Sequence, residues 1–254
     1  MRPVVLLLLA FVTAYGQNET KKPLATRQPG EDVNAPEVRT RPGLAPSADL
    51  LFNGWGVSPA GQHIPTGDMP LKLVIAPDKE AVLAVCAGYN KQGVAVVSLD
   101  EKRTTTFLPM KQAFNGLAFS RDGKRFFVSG GDSGTLSVFR YKDGQATFER
   151  EVKPNPKAEH TFLAGLAVHP KTGAVYVCNE GNHELWELDP ETLLLKRSVA
   201  VGQHPHSVVV GADLVHLYVS NWGSRSVSVV EATKHARLRD VTVGIRPNDM
   251  ALSP

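Results

Sequence analysis

An all-β fold, a β-propeller of radially arranged four-stranded sheets, is predicted by three features of this 254-residue sequence. A strand-like tetrapeptide returns along the chain as Tyr176-Val177-Cys178-Asn179 and Tyr218-Val219-Ser220-Asn221. Looser copies stand at Phe127-Val128-Ser129-Gly130 and Ala84-Val85-Cys86-Ala87, so the steps are 43, 49 and 42 residues. A second landmark, an apolar run, precedes each copy at Pro70 to Pro77, Phe114 to Arg121, Leu163 to Pro170 and Pro205 to Ala212, and appears once more at Pro247 to Pro254. Between the landmarks lie turn residues such as Asp122-Gly123 and Lys171-Thr172-Gly173. Self-similar units of about 40 to 45 residues, each with four strands, are propeller blades. A β-sandwich spaces strands evenly but does not repeat the same letters at the same offsets.

From the N-terminus, Met1-Arg2 gives a positive start, residues 4–15 are mostly apolar, and Ala14 and Gly16 are small at the positions a signal peptidase reads. Residues 1–16 are therefore expected to be an export signal. The run is shorter than the roughly 20 apolar residues of a spanning helix, so no membrane anchor is expected after cleavage. The mature protein is expected in the periplasm or outside the cell. Residues 17–50 hold five prolines and little periodicity, the composition of a disordered tether. A lead-in strand is expected over 51–66, then blades over 67–112, 113–160, 161–203 and 204–245, with the next begun by 246–254.

Within a blade, a run such as Val208-Val209-Val210 suits an inner strand covered on both faces. The Tyr-Val strand follows. Alternation in Ser226-Val227-Ser228-Val229 marks a third strand, and Val241-Thr242-Val243 ends an outer one. Asp-Gly of the inner turn survives only in the second blade; the first has Asp78-Lys79 and the fourth Ala212-Asp213.

The 28 Lys and Arg exceed the 25 Asp and Glu by three, too little to point to nucleic acid or an anionic membrane. Cys86 and Cys178 align at one strand position two blades apart, beyond the roughly 7 Å disulfide limit, and are expected to be free thiols.

Few motifs carry chemistry. Gly131-Asp132-Ser133-Gly134 has the letters of a protease nucleophile loop but falls at a strand reversal, where Gly and Asp serve the turn. Gly123-Lys124-Arg125 lacks the second glycine of a phosphate loop. His204 and His206, two residues apart in an extended segment, are the metal candidates, with His160 and His183 on the same rim; two ligands do not make a site, and no cofactor is expected. The loops entering inner strands share one face, where Glu180, His160, His183, His204, His206, Trp222, Arg225, Arg246, Asn248 and Asp249 suit a small ligand or a protein.

The Tyr-Val-x-Asn strand resembles the YVTN-type propeller repeats of YncE-like proteins over about residues 67–254. The lead-in, with Asn53-Gly54-Trp55, Ser58-Pro59-Ala60-Gly61-Gln62 and Ile64-Pro65, resembles propellers that precede an alkaline-phosphatase-superfamily phosphoesterase in some exported bacterial proteins. A related ring would have about seven blades, so this chain, with about four blades and one strand, is expected to be an incomplete ring and a fragment, its terminal sheets uncovered. The chain is expected to be an exported, non-catalytic ligand- or protein-binding module. The alternatives are the propeller part of a longer metal-dependent phosphoesterase, and a propeller lactonase, which would require convergent carboxylates that the sequence does not display.

Overall fold

The computed structural model describes residues 64–253. The expected export signal, the tether and residues 51–63 of the lead-in lie outside the described residues. Among those described there is no helix, and sixteen strands pair into four antiparallel sheets, each a meander in chain order. These are the four blades of a β-propeller. The first holds β1 (Pro70–Ile75), β2 (Ala81–Ala87), β3 (Gln92–Ser98) and β4 (Arg103–Pro109). The second holds β5 (Leu117–Phe119), β6 (Arg125–Ser129), β7 (Leu136–Lys142) and β8 (Gln145–Val152). The third holds β9 (Leu163–Val168), β10 (Val175–Asn179), β11 (Glu184–Leu188) and β12 (Leu195–Ala200), and the fourth β13 (Pro205–Val210), β14 (His216–Asn221), β15 (Ser226–Glu231) and β16 (Ala236–Thr242).

Strand alternation builds the core, because successive side chains point to opposite faces. On β6, Phe126 and Val128 join Leu83, Val85, Val94 and Val96 of the first blade, whereas Phe127 turns to Val175, Val177 and Trp186 of the third. On β10, Tyr176 and Cys178 turn the other way, onto Val208, Leu217 and Val219 of the fourth. The recurring Tyr-Val dipeptide is thus a residue for each neighbouring blade. Leu73 and Ile75, on the face of β1 opposite the packed Val74, are each 63% exposed, so among the described residues the first inner strand is covered on one face only.

The inner turns keep one device despite their different letters. Asp78, Asp122 and Asp213 each accept, through Oδ1, the N–H two residues on. In the third blade His169 substitutes, its Nδ1 accepting from Lys171 and Thr172. The left-handed residue of the turn is Gly123 or Gly173 in two blades and Lys79 or Leu214 in the others.

Residues 246–253 correct one expectation. They form no strand, and among the described residues none pairs with them. They instead bind the inner edge of the fourth blade, where Ser220 Oγ donates to the Asn248 carbonyl at 2.9 Å and Ser207 Oγ donates to Asp249 Oδ1 at 2.8 Å. Cys86 and Cys178 are free and buried, and burial raises both thiol pKa values, that of Cys178 strongly.

A buried polar cluster joins the third blade to the fourth. Glu187 of β11 is 4% exposed and accepts from Arg197 Nε of β12 at 2.7 Å. His235, in the turn before β16, donates from Nε2 to the Leu185 carbonyl at 3.1 Å; its Nδ1 has no hydrogen-bond partner and stands 3.7 Å from Glu187 Oε2. Burial disfavours the imidazolium and lowers the His235 pKa below the ordinary 6.5. The unfolded chain therefore takes up this proton at a higher pH than the folded one, and stability present above about pH 6.5 is lost as the pH falls below it. Urea unfolding at about pH 7.5 and about pH 5.5 is expected to show a larger acid loss for the native protein than for His235→Gln; equal losses would contradict a buried neutral ring.

Candidate active site

All four blades contribute to one cavity of about 360 Å³ on the face that carries the loops into the inner strands. The first blade supplies Met69, Leu71 and Lys72, the second Phe114 and Asn115, the third Glu180 and the fourth His206 and Trp222, with Asn248 and Asp249 following. Two of these sit at ladder irregularities: the β1 register shifts between Pro70 and Lys72, around Leu71, and the β13 register shifts between Pro205 and Ser207, around His206. A bulge frees a side chain from the alternation and re-aims it.

Glu180 is held by the asparagine that ends the Tyr-Val strand. Asn179 Oδ1 accepts the N–H groups of Phe162 and Gly181, and the Glu180 N–H donates to the Phe162 carbonyl. Gly181 is required for close approach, because a Cβ there would lie 1.6 Å from the His160 carbonyl oxygen. So fixed, Glu180 Oε1 is 2.7 Å from His206 Nδ1. The other ring nitrogen, Nε2, is 2.8 Å from Asn115 Nδ2, and Phe114 meets the ring edge-on at 5.7 Å. An amide nitrogen can only donate, so Nε2 is the acceptor and the proton resides on Nδ1, directed at Glu180. Asn115 Oδ1 is buried without a partner among the described residues.

Asp249 anchors the opposite wall. Its Oδ2 is 2.7 Å from Lys72 Nζ and its Oδ1 accepts from Ser207 Oγ. Burial pushes the Asp249 pKa upward, but the hydrogen bonds from Lys72, Ser207 and the Met250 N–H outweigh it, and the carboxyl titrates below its ordinary value.

Of the residues singled out from the sequence, His206, Trp222, Asn248 and Asp249 line the cavity. His183 and His204 lie outside the lining and pair with each other, ring centroids 5.0 Å apart and edge-on, and the His204 N–H donates to His183 Nδ1. Arg246 lies over the Trp222 ring at 4.7 Å. His160 and Arg225 are exposed and outside the lining. His204 takes a left-handed φ of 49° before the bulge, so the two-residue spacing to His206 does not give a shared ligand set. Sequence reasoning passed over Phe114, Asn115, Leu71 and Lys72. A signal for two of them existed: Leu71, Asn115, Ala164, His206 and Asn248 are all the second residue of the apolar landmark, and all but Ala164 line the cavity.

The donor set does not fit a metal. Among the described residues no three His, Cys, Asp or Glu side chains converge. Both nitrogens of His206 are engaged, and a cation at Asp249 would have to displace the Lys72 ammonium.

A family model for the SMP-30/gluconolactonase/LRE-like region matches residues 39–222. The chain belongs to this family. That match overturns the YVTN-type, YncE-like resemblance: a Tyr-Val strand ending in a loop-pinning asparagine is a solution to blade packing, and it does not identify one propeller family. The expected non-catalytic binding module falls with it, because the family model points to a lactonase-type propeller. Solved structures similar to this SMP-30/gluconolactonase-like chain include the periplasmic gluconolactonase of Pseudomonas aeruginosa (21% identity, TM-score 0.58, 71% of this chain and 55% of that one). A Lactobacillus plantarum protein is also similar (21%, TM-score 0.56, 68% and 55%). So is the hydrazine synthase of Kuenenia stuttgartiensis (18%, TM-score 0.56, 73% and 52%). The chain spans about half the length of these structures, and at such identities they share its fold. No curated protein matches it significantly.

Proposed function

We propose that this chain is the propeller of a lactone hydrolase that opens small cyclic esters in the four-blade cavity, with His206 as general base. The observation that carries the reading is the His206 ring held between Glu180 and Asn115 at 2.7 and 2.8 Å in a cavity of about 360 Å³, a size that suits a small ligand. Membership of a family described by gluconolactonase supports it.

Water in the cavity displaces the Asn115 amide and turns one hydrogen to His206 Nε2. As its oxygen bonds to the lactone carbonyl carbon, that proton passes to Nε2 and the carbonyl π pair moves onto oxygen. Glu180, already bonded to Nδ1–H, compensates the charge the ring gains and keeps Nε2 directed at the water. Collapse of the tetrahedral intermediate re-forms the carbonyl and breaks the ring C–O bond; the departing alkoxide takes the proton from Nε2 and leaves a hydroxy acid. Trp222 offers an aromatic face, and Asn248 an amide, to a hydroxylated ring. We infer export to the periplasm or beyond from the apolar run of residues 4–15.

Acid release from δ-gluconolactone, followed by pH-stat titration, is expected to be saturable and faster than spontaneous opening. Glu180→Gln is expected to lower kcat by about 10²-fold with little change in KM. A native rate no higher than that of buffer would refute the reading.

A further inference from the structure

We propose that Lys72 is the catalytic electrophile of this cavity, its ammonium stabilising the oxyanion formed when water attacks the lactone carbonyl. The inference rests on the lactone-hydrolase reading and adds to it the one component the His206 cluster does not supply. A base and its positioning carboxylate move a proton, but the negative charge that gathers on the carbonyl oxygen needs a donor fixed in advance.

The described residues narrow the choice. Among the side chains lining the cavity, Lys72 is the one with a fixed positive charge. The Asn115 amide nitrogen faces His206 in the resting site and faces the water side of the reaction. Arg246 is stacked on Trp222 and outside the lining.

Lys72 is also held in position. Its ammonium makes a 2.7 Å contact with Asp249, whose second oxygen accepts from Ser207, the residue that follows His206 on β13. The electrophile on the first blade is thereby tied to the strand that carries the base. One ammonium hydrogen goes to Asp249, and an ammonium has three to give. The side chain is 27% exposed, sheltered enough for its charge to act strongly and open enough to meet a ligand. Water supplies the oxygen that bonds to carbon, His206 takes the proton, and Lys72 donates hydrogen bonds to the oxyanion without transferring a proton.

Removing Lys72 alone would also leave the Asp249 carboxylate without its counter-charge in the cavity wall, so two variants are needed. With δ-gluconolactone as probe, Lys72→Met is expected to lower kcat by about 10²-fold with KM changed less than about threefold. The double variant Lys72→Met/Asp249→Asn, which removes both charges, is expected to stay equally slow, while Lys72→Arg recovers part of the rate. Thermal unfolding of the double variant close to that of the native protein is expected to show that the fold is kept. A double variant restored to the native rate would overturn the proposal, since Lys72 would then serve only to neutralise Asp249; so would a Lys72→Met enzyme of native kcat. An inactive native protein would remove the lactone-hydrolase reading itself, and this inference with it.

Discussion

Replacing Arg197 with methionine is expected to lower the unfolding free energy by about 3 kcal/mol, which at this domain size moves the thermal midpoint down by roughly 6–12 °C. The cost arises from what remains behind. Glu187 is 4% exposed, and without the guanidinium the remaining cation beside its carboxylate among the described residues is Lys196 at 3.7 Å, since the neutral His235 ring turns an unprotonated Nδ1 toward it. Arg197 also donates to the carbonyls of Thr233 at 3.0 Å and Ala232 at 3.1 Å, so the same substitution cuts ties from the third blade to the fourth. The Arg197 side chain is 40% exposed while Glu187 is buried, so the cost falls on the carboxylate left without its guanidinium, and replacing both ends by apolar groups removes that charge. Adding Glu187→Leu to Arg197→Met is therefore expected to return part of the stability. A loss below about 1 kcal/mol for Arg197→Met alone, measured by urea unfolding, would show that the cluster does not brace these blades.

The blades were legible in the sequence because a propeller imposes the same demand on each of its units. Each sheet must present apolar residues to two neighbours, so Tyr176 with Val177 and Phe126 with Phe127 face opposite ways, and that demand writes itself as a repeat. Turn geometry was less legible. Asp78, Asp122 and Asp213 perform one task, but His169 performs it in the third blade, and an imidazole accepting two N–H groups has no distinctive spelling. The final apolar landmark carries the strand pattern, but residues 246–253 form no strand among the described residues.

The site was half legible. Loop-face residues could be found from topology, and His206, Trp222, Asn248 and Asp249 were among them. The functional pairing of Glu180 with His206 crosses two blades and depends on a bulge at His206, and neither distance nor bulge is written in residue spacing. Lys72 escaped attention because it sits within a strand, where alternation assigns it no distinction. The search for a family through the Tyr-Val strand failed for a related reason: the most repetitive letters were those that serve packing, which unrelated propellers share.

The central claim is that ester opening depends on the cavity ring His206 and not on the rim histidines. The direct test compares the rate of acid release from δ-gluconolactone across a pH series for the native protein, His206→Asn and the doubly substituted His183→Asn/His204→Asn. Asparagine can hold hydrogen bonds at position 206 but cannot take the proton from water, so kcat is expected to fall by about 10²- to 10⁴-fold. The rim variant is expected to keep the native rate within about threefold. Retention of the rate by His206→Asn, or its collapse in the rim variant alone, would contradict the account.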